Sequence, residues 1–203
     1  MNRSLKLGSV AIQYSIQKEL TRQADWFDQE LRDLFMARGH SLFSPGKTMQ
    51  FGWSRLTFVA SDQGLRIHEP DFAGDPATET RDDLTVTITV LAQQADIRKS
   101  LNIEPVSVDF LDQLYFVEGA LEAGDVFFQR GEGQVGISGW VMKLHDKPHQ
   151  DGPYAWFFVY ELLQVLPAAM AILTLPIGYI AVFLGETLDA ILDENDRKVY
   201  TAS

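Results

Sequence analysis

Residues 49–68, MQFGWSRLTFVASDQGLRIH, decide the predicted fold class. Aromatic and β-branched residues dominate from Met49 to Ala60, and Leu65 to His68 forms a second strand-like run. The turn-like segment Ser61-Asp62-Gln63-Gly64 joins the two runs, and two such runs around a short glycine-containing turn are typical of a β-hairpin. The stretch therefore predicts antiparallel sheet in the N-terminal half.

Two helices are predicted to flank this hairpin. Apolar residues recur at intervals of three, four or seven from Ile12 to Arg38, which places them on one helix face. Leu84 to Leu101 is ambiguous, because Leu84 to Val90 alternates as in a strand while the Gln/Lys/Arg-rich second half and the length favour a helix. The proline-marked segment from Glu69 to Pro76 is predicted to be an exposed connection.

The C-terminal half is predicted to contain four strands and two helices. The strands are Val106 to Val117, Asp125 to Arg130, Ile137 to Leu144 and Ile177 to Leu184, and the helices are Tyr154 to Leu173 and the acidic Glu186 to Asp196. The predicted fold class is α+β, mainly an antiparallel sheet with a long N-terminal helix and a buried C-terminal helix packed on it. We expect a single domain over residues 1–203, with a division into 1–102 and 103–203 as the alternative.

Composition excludes several classes of partner and chemistry. The chain has 203 residues, of which 46% are hydrophobic, so it can bury a sizeable core. Its net charge of −11 repels nucleic-acid backbones and attracts basic proteins. The absence of cysteine removes disulfides, thiolate nucleophiles and zinc-thiolate sites.

The predicted location is the cytoplasm. Met1 to Ile12 lacks the long apolar run and cleavage site of a signal peptide. The uncharged run Leu162 to Gly185 is long enough to cross a bilayer. Pro176 and Gly178 break its second half, so a buried helix followed by a strand is favoured and a transmembrane segment is the minor alternative.

A glycine-rich stretch matches a nucleotide-binding pattern without its context. Gly131 to Gly136, GEGQVG, has the spacing G-x-G-x-x-G after a predicted strand. A phosphate site needs these glycines to open a helix, whereas Ile137 to Val141 predicts another strand. We therefore expect a hairpin loop and no cofactor.

The residues His145, Asp146, His149 and Asp151 form a candidate metal-ligand set. The four-residue spacing of the histidines would align both rings on a helix, but Pro148 makes the segment a loop. We expect an exposed turn and no metal.

No nucleophile motif is present, so no catalytic residue is predicted and the protein is not expected to be an enzyme. A site assembled from residues distant in sequence, such as Asp109, Asp112, Glu118 and the loop histidines, stays open as an alternative.

Acidic residues at loops and strand ends are the predicted partner-binding residues. They are Asp71, Asp75, Asp109, Asp112, Glu118 and Glu122. Such a surface is complementary to a basic partner, and an ordinary solubilising surface is the alternative. Trp53 and Trp140 are expected in the core, because an aromatic residue inside an apolar strand is usually buried.

A series of short motifs resembles a known family. In order they are Phe51-Gly52-Trp53, Glu69-Pro70-Asp71-Phe72, Glu118-Gly119-Ala120-Leu121, Ser138-Gly139-Trp140 and Leu175-Pro176-Ile177-Gly178-Tyr179. This order is similar to that of the immunity proteins of bacterial polymorphic-toxin and type VI secretion systems, specifically immunity family thirty-three and its relatives. The segment between Trp140 and the following helix is short and Lys/His-rich, which departs from the family pattern and leaves the subfamily open.

The resemblance implies a non-enzymatic cytoplasmic protein that neutralises a cognate toxin by binding it and blocking its active site. The acidic charge favours a toxin with a basic active-site cleft. An adaptor or chaperone that loads an effector onto a secretion apparatus is the competing interpretation. Neither a nucleic acid nor a membrane is an expected partner.

Overall fold

The computed structural model describes residues 1–148 and 152–201. The chain divides into two compact units, Met1–Ala92 and Gln93–Ser203. Each unit contains a mixed sheet and helical segments, which confirms the predicted α+β class. Whether the units act as one domain or two stays a prediction.

The first unit is built on a six-stranded sheet. Its strands are β1 Asn2–Leu7, β2 Val10–Ser15, β3 Thr48–Phe51, β4 Ser54–Ser61, β5 Gly64–Pro70 and β6 Thr80–Arg81, and its helices are α1 Thr21–Arg38 and α2 Thr85–Leu101, with α2 crossing the boundary between units. The strand order is β1-β2-β5-β4-β3, with β6 paired to β5. Every pairing is antiparallel except β2 with β5.

The hairpin predicted over residues 49–68 is confirmed, since β4 and β5 pair antiparallel up to Ser61 opposite Gly64. Inward residues alternate along β5, where Leu65 and Ile67 are buried and Glu69 has the same orientation. The predicted exposed connection is therefore wrong at its start, because Glu69 is 0% exposed and Phe72 is also buried.

The long N-terminal helix is confirmed, but it begins later than predicted. Residues from Ile12 belong to β2, which pairs with β1, and α1 begins at Thr21 after a short 3₁₀ turn at Lys18–Leu20. Ile12 and Ile16 are four residues apart, a spacing that fits one helix face and also the alternation of a strand. The helical interpretation of Leu84 to Leu101 is confirmed by α2.

The second unit is built on a seven-stranded sheet. Its strands are β7 Gln113–Val117, β8 Asp125–Arg130, β9 Ile137–Leu144, β10 Tyr154–Phe158, β11 Ile180–Leu184, β12 Thr187–Leu192 and β13 Lys198–Thr201, and between β10 and β11 lie the 3₁₀ helix Val159–Glu161, the short helix α3 Leu162–Val165 and the 3₁₀ helix Pro167–Ile172. The strand order is β10-β7-β9-β8-β11-β12-β13, and only β7 and β9 are parallel.

Three predicted elements of this unit need correction. The helix predicted from Tyr154 begins with edge strand β10 instead, because Tyr154, Trp156 and Phe158 alternate as in a strand. The acidic helix predicted from Glu186 to Asp196 is replaced by strand β12. The strand predicted from Val106 begins only at Gln113.

The buried helical segment after β10 is interrupted because Pro167 lacks the N–H that would continue α3. Its apolar side chains are buried, including Leu162, Met170 and Ile172. It contacts the sheet where the Trp140 indole N–H donates to the Leu173 carbonyl at 3.0 Å. Within residues 1–148 and 152–201, no helix combines the length and apolar content that a membrane span requires.

Candidate partner-binding surface

One face of the seven-stranded sheet is a packed core. Phe128, Trp140 and Phe183 are fully buried on this face, and Phe128 contacts both other rings edge-on at centroid distances of 6.5 and 5.5 Å. Trp140 is therefore a core residue, as predicted, and so is Trp53 in the first unit, which stacks on Phe72.

Arg130, which was not among the predicted residues, lies within this core. It is 3% exposed, and its guanidinium carbon lies 5.3 Å from the centroid of the Trp140 ring. Its Nη1 donates a hydrogen bond to the Ser138 carbonyl. Burial lowers the pKa of Arg130 to about 10, against the opposing influence of the Asp112 charge. Arg130 shares the inward face of β8 with Val126 and Phe128, which is the sequence signal for it.

The Ser138-Gly139-Trp140 motif joins three strands at this arginine. The Ser138 hydroxyl donates to the Gln113 carbonyl of β7 at 2.8 Å. Gly139 has φ of +79°, and a Cβ there would lie 2.6 Å from the Gly131 carbonyl oxygen. Only glycine combines this backbone conformation with such a close approach. The motif therefore fixes the registers of β7, β8 and β9.

The Leu-Pro-x-Gly-Tyr motif reaches the same arginine from the other side. The Gly178 N–H donates to the Arg130 carbonyl at 2.8 Å, and the Arg130 N–H donates to the Tyr179 carbonyl at 2.9 Å. Both C-terminal motifs of the family resemblance thus surround Arg130. Their role in this structure is to hold the sheet together.

The glycine-rich stretch is a hairpin loop, as predicted. Gly131 to Gly136 connects β8 and β9, which pair antiparallel, and all six residues are exposed. Its glycines open a strand and not a helix, so it lacks the amide cluster that binds a phosphate.

The opposite end of the same sheet carries a groove of about 670 Å³. The lining residues are Glu118, Gly119, Ala123, Gly124, Asp125, Leu144, His145, Asp146 and Lys147. Three of these side chains are carboxylates, and one is a lysine. Asp125 also accepts a hydrogen bond from the Gly185 N–H at 3.0 Å, which fixes one wall. We refer to this feature as the acidic groove.

Exposed aromatic residues lie beside the acidic groove on edge strand β10. Tyr154 is 44% exposed and Trp156 is 46% exposed. Trp156 packs edge-on against Phe158 at 5.3 Å, and Phe158 stacks on Tyr160 at 5.9 Å. We refer to these four residues as the aromatic ladder. Tyr154 lies opposite Val117, the residue before Glu118, so the Tyr154 end of the aromatic ladder lies next to the acidic groove.

Two of the predicted partner-binding residues belong to this region. Glu118 lines the acidic groove, and Glu122 is exposed on the same connection between β7 and β8. Asp125 and Asp146 were not among the predicted residues, although they line the same groove. Whether any of them contacts a partner stays a prediction.

Asp109 and Asp112 hold a turn before β7. The Asp109 N–H donates to Asp112 Oδ2 at 2.8 Å, and the Leu111 N–H donates to Asp109 Oδ1 at 2.9 Å. Burial raises the pKa of Asp112. Asp112 and Glu118 flank the two ends of β7, roughly 20 Å apart along an extended chain. Of the distant acid/base site considered as an alternative, the structure brings Asp109 next to Asp112 and Glu118 into one groove with His145, as two separate pairs, whereas His149 lies outside the described residues.

Asp71 and Asp75 belong to the first unit, in the connection between β5 and β6. Asp71 Oδ1 accepts from the Ala73 N–H at 3.2 Å, and Asp75 Oδ1 accepts from the Ala77 N–H at 3.1 Å. Both carboxylates therefore stabilise the loop that carries them, and Asp75 is also exposed. That Asp71 or Asp75 contacts a partner stays a prediction.

The candidate metal ligands are only partly described. His145 and Asp146 form an exposed turn after β9, whereas His149 and Asp151 lie outside the described residues. Over 1–148 and 152–201, no three His, Asp or Glu side chains are grouped in a way that could hold a metal ion.

The first unit contains a buried carboxylate, Glu69, at the N-terminus of α2. Its Oε2 accepts a hydrogen bond from the Thr87 N–H at 2.7 Å, and its Oε1 accepts one from the Val86 N–H at 3.4 Å. The Arg81 Nε lies 3.9 Å from Oε1. Burial raises the pKa of Glu69 to about 7, although the hydrogen bonds from Thr87 act in the opposite direction. Glu69 therefore caps α2 from inside the core.

The structure is that of a small α+β protein whose second unit carries exposed carboxylates and exposed aromatic side chains. Comparison with protein families gives the class, because the family model of the Imm33-like domain matches residues 93–194. This match covers just over half of the 203 residues, and the chain belongs to the Imm33-like family. The resemblance to immunity family thirty-three is therefore confirmed.

The matched residues begin at the boundary between the two units. They include the Ser-Gly-Trp and Leu-Pro-x-Gly-Tyr motifs, whereas the Phe-Gly-Trp and Glu-Pro-Asp-Phe motifs lie before them. No curated protein and no solved structure matches the chain.

Proposed function

We propose that this protein is an immunity protein that binds a cognate antibacterial toxin and neutralises it by blocking its active site. The observation that carries the proposal is the match of residues 93–194 to the Imm33-like domain. An immunity protein acts by binding, so it needs a rigid scaffold and a complementary surface and no reacting groups of its own.

The surface of the second unit supports a binding role. The acidic groove and the aromatic ladder both lie within the matched residues. Protein interfaces are enriched in Trp and Tyr at their centres and carry complementary charge around them. Exposed aromatic residues beside carboxylates therefore suit a protein partner.

The charge of the chain favours a toxin with a basic active-site cleft. A net charge of −11 attracts a cationic protein at long range and accelerates the encounter. We propose that the complex forms in the cytoplasm of the producing bacterium, where the toxin would otherwise act. Delivery of that toxin by a polymorphic-toxin or type VI secretion system completes the proposal.

Co-expression tests this function directly. The toxin encoded beside this gene is expressed in a sensitive strain, alone or together with this protein, and viable cells are counted. We expect the full chain to restore growth, and an immunity protein from an unrelated toxin pair to leave killing unchanged. Unchanged killing in the presence of the full chain, at confirmed expression, would overturn the proposal.

A further inference from the structure

We propose that the outer edge of β10 at Trp156 pairs with an extended segment of the toxin that carries Lys or Arg side chains into the acidic groove. This inference rests on the proposed function and specifies its binding mode. It combines three observations on the second unit, namely an open strand edge, an exposed aromatic anchor and an adjacent acidic groove.

The hydrogen-bond pattern of β10 shows which backbone groups face outward. The Val159 N–H donates to the carbonyl of Asp112, which lies opposite it, at 2.9 Å. Hydrogen-bonded and non-hydrogen-bonded pairs alternate along an antiparallel ladder, so Phe157 and Ala155 bond to β7 while Trp156 points its N–H and C=O away from it. The outward N–H of Phe158 is capped by Glu161 Oε2 at 2.8 Å.

Between Pro153 and the Glu161-capped N–H of Phe158, the described part of β10 carries no charged residue and no proline. β10 is the terminal strand of the sheet, and residues 154–156 are exposed and uncharged. Natural proteins protect such edges with charged side chains, prolines or bulges. An unprotected edge instead provides a template on which an incoming strand forms main-chain hydrogen bonds.

The Trp156 side chain supplies an anchor on the same strand. It is 46% exposed and is held on one side by Phe158. Every second side chain of a paired strand would lie on the same face of the sheet as this indole, and one of them would lie next to it. Trp residues that lose their exposed surface on binding are among the strongest contributors to interface affinity.

The acidic groove lies within reach of the same incoming strand. Trp156 is opposite Tyr115, and Glu118 follows Tyr115 by three residues, which is roughly 10 Å along an extended chain. A strand on the outer edge of β10 also lies two strand spacings, roughly 10 Å, from β7. A segment that pairs at Trp156 must therefore continue past Tyr154 and turn across the end of the sheet to bring a Lys or Arg side chain to Glu118, on the near wall of the groove.

Charge favours a cationic partner over a second copy of this chain. Two copies paired through β10 would each carry −11 and would place their carboxylate-lined grooves at the same interface. Like charges at an interface oppose association. A strand that carries Lys or Arg side chains would be attracted to the carboxylates in the same position.

Two substitutions at Trp156 separate the side chain from the backbone edge. Trp156→Ala removes the indole and keeps the outward N–H, whereas Trp156→Pro also removes that N–H while the N–H groups of Ala155 and Phe157 remain on β7. Affinity is measured with the purified toxin encoded beside this gene. We expect Trp156→Ala to weaken binding about 10- to 100-fold, and Trp156→Pro to weaken it at least about tenfold further.

Charge reversal tests the groove, with a matched control at the other end of the sheet. Asp146→Lys places a cation in the acidic groove, and we expect it to slow association about tenfold. Glu132→Lys changes the charge by the same amount in the exposed loop between β8 and β9, and we expect association within about twofold of wild type. Equal effects of the two variants would contradict the groove assignment.

Hydrogen exchange gives a readout that does not depend on a variant folding. We expect peptides covering 152–160 to gain protection when the toxin is bound, while those covering the opposite edge strand β13 do not. Binding with no added protection at β10, together with wild-type affinity of Trp156→Ala, would overturn the strand-pairing inference and leave the immunity function standing. Self-association without toxin would favour a second copy as the occupant and also overturn it. No binding and no protection from killing would overturn both proposals.

Discussion

Arg130 lies over the indole ring of Trp140, with its guanidinium carbon 5.3 Å from the ring centroid. The arginine is buried, yet its Nε has no hydrogen-bond partner among the described residues. The ring face and the Ser138 carbonyl therefore provide the main compensation for burying this cation. The Leu-Pro-x-Gly-Tyr motif bonds the Arg130 backbone, whereas the Ser-Gly-Trp motif contacts its side chain, so a substitution of Arg130 acts through the contacts with Ser138 and Trp140.

We predict that Arg130→Ala lowers the free energy of unfolding by about 3 kcal/mol, because it leaves a cavity against Trp140 and an unpaired Ser138 carbonyl. Arg130→Met keeps most of the volume and removes the buried charge, so we expect a loss of about 1 kcal/mol. Urea denaturation of the full chain, followed by tryptophan fluorescence, measures both values. Equal stability of Arg130→Ala and wild type would show that the arginine does not hold the sheet.

The glycine of the Ser-Gly-Trp motif allows a controlled test of backbone geometry. Gly139 and Gly136 both have φ of +79°, but a Cβ at Gly139 would lie 2.6 Å from the Gly131 carbonyl oxygen, whereas a Cβ at Gly136 meets nothing within 4 Å. We predict that Gly136→Ala costs about 1 kcal/mol, from the left-handed conformation alone, and that Gly139→Ala costs about 3 kcal/mol or more. Thermal unfolding compares the two variants, and equal costs would contradict the steric argument.

The proposed interface predicts a salt-dependent association rate. Carboxylates of the acidic groove attract a cationic partner over a distance that dissolved ions screen. Raising NaCl from about 0.05 M to about 0.5 M should slow association with the toxin about tenfold or more and change dissociation much less. Stopped-flow or surface-plasmon measurements give both rates. An association rate that does not change with salt would exclude electrostatic steering.

The elements that were predictable from sequence are those with a local signal. The hairpin of β4 and β5 has alternating apolar residues and a glycine-containing turn, and α2 has the length of a helix. The start of α1 was not predictable, because the spacing of Ile12 and Ile16 is compatible with both a helix and a strand. β10 was missed because its five aromatic or apolar residues run directly into the helical segment that begins at Val159. No turn residue separates the strand from the helix, so the two were predicted as one helix.

The candidate surface was predictable only in part. Glu118 was predicted as an exposed strand-end carboxylate, but the acidic groove also requires Asp125 and Asp146 from two other strand ends. Which strand ends meet depends on the order β7-β9-β8, and that order is a long-range property that one sequence does not specify. Arg130 alternates with Val126 and Phe128 along β8, but it was missed because only the structure shows what covers that face of the strand.

Glu69 gives a prediction for the pH dependence of stability. Burial raises its pKa from 4.5 to about 7 in the folded protein, so the folded state keeps a proton that the unfolded state has already released. The stabilisation from the neutral form is fully present below about pH 4.5 and is lost as the pH rises through about 7, a difference of about 3 kcal/mol.

Glu69→Gln cannot ionise and should lack this dependence. We therefore expect the free energy of unfolding of wild type, relative to Glu69→Gln, to fall between pH 4.5 and pH 7.5. Urea titrations at several pH values measure this difference. Glu19→Gln, at an exposed position of the same unit, is the matched control and should keep the wild-type slope. If the difference between wild type and Glu69→Gln does not change with pH, Glu69 titrates alike in the folded and unfolded chains. The carboxylate would then cap α2 in its charged form.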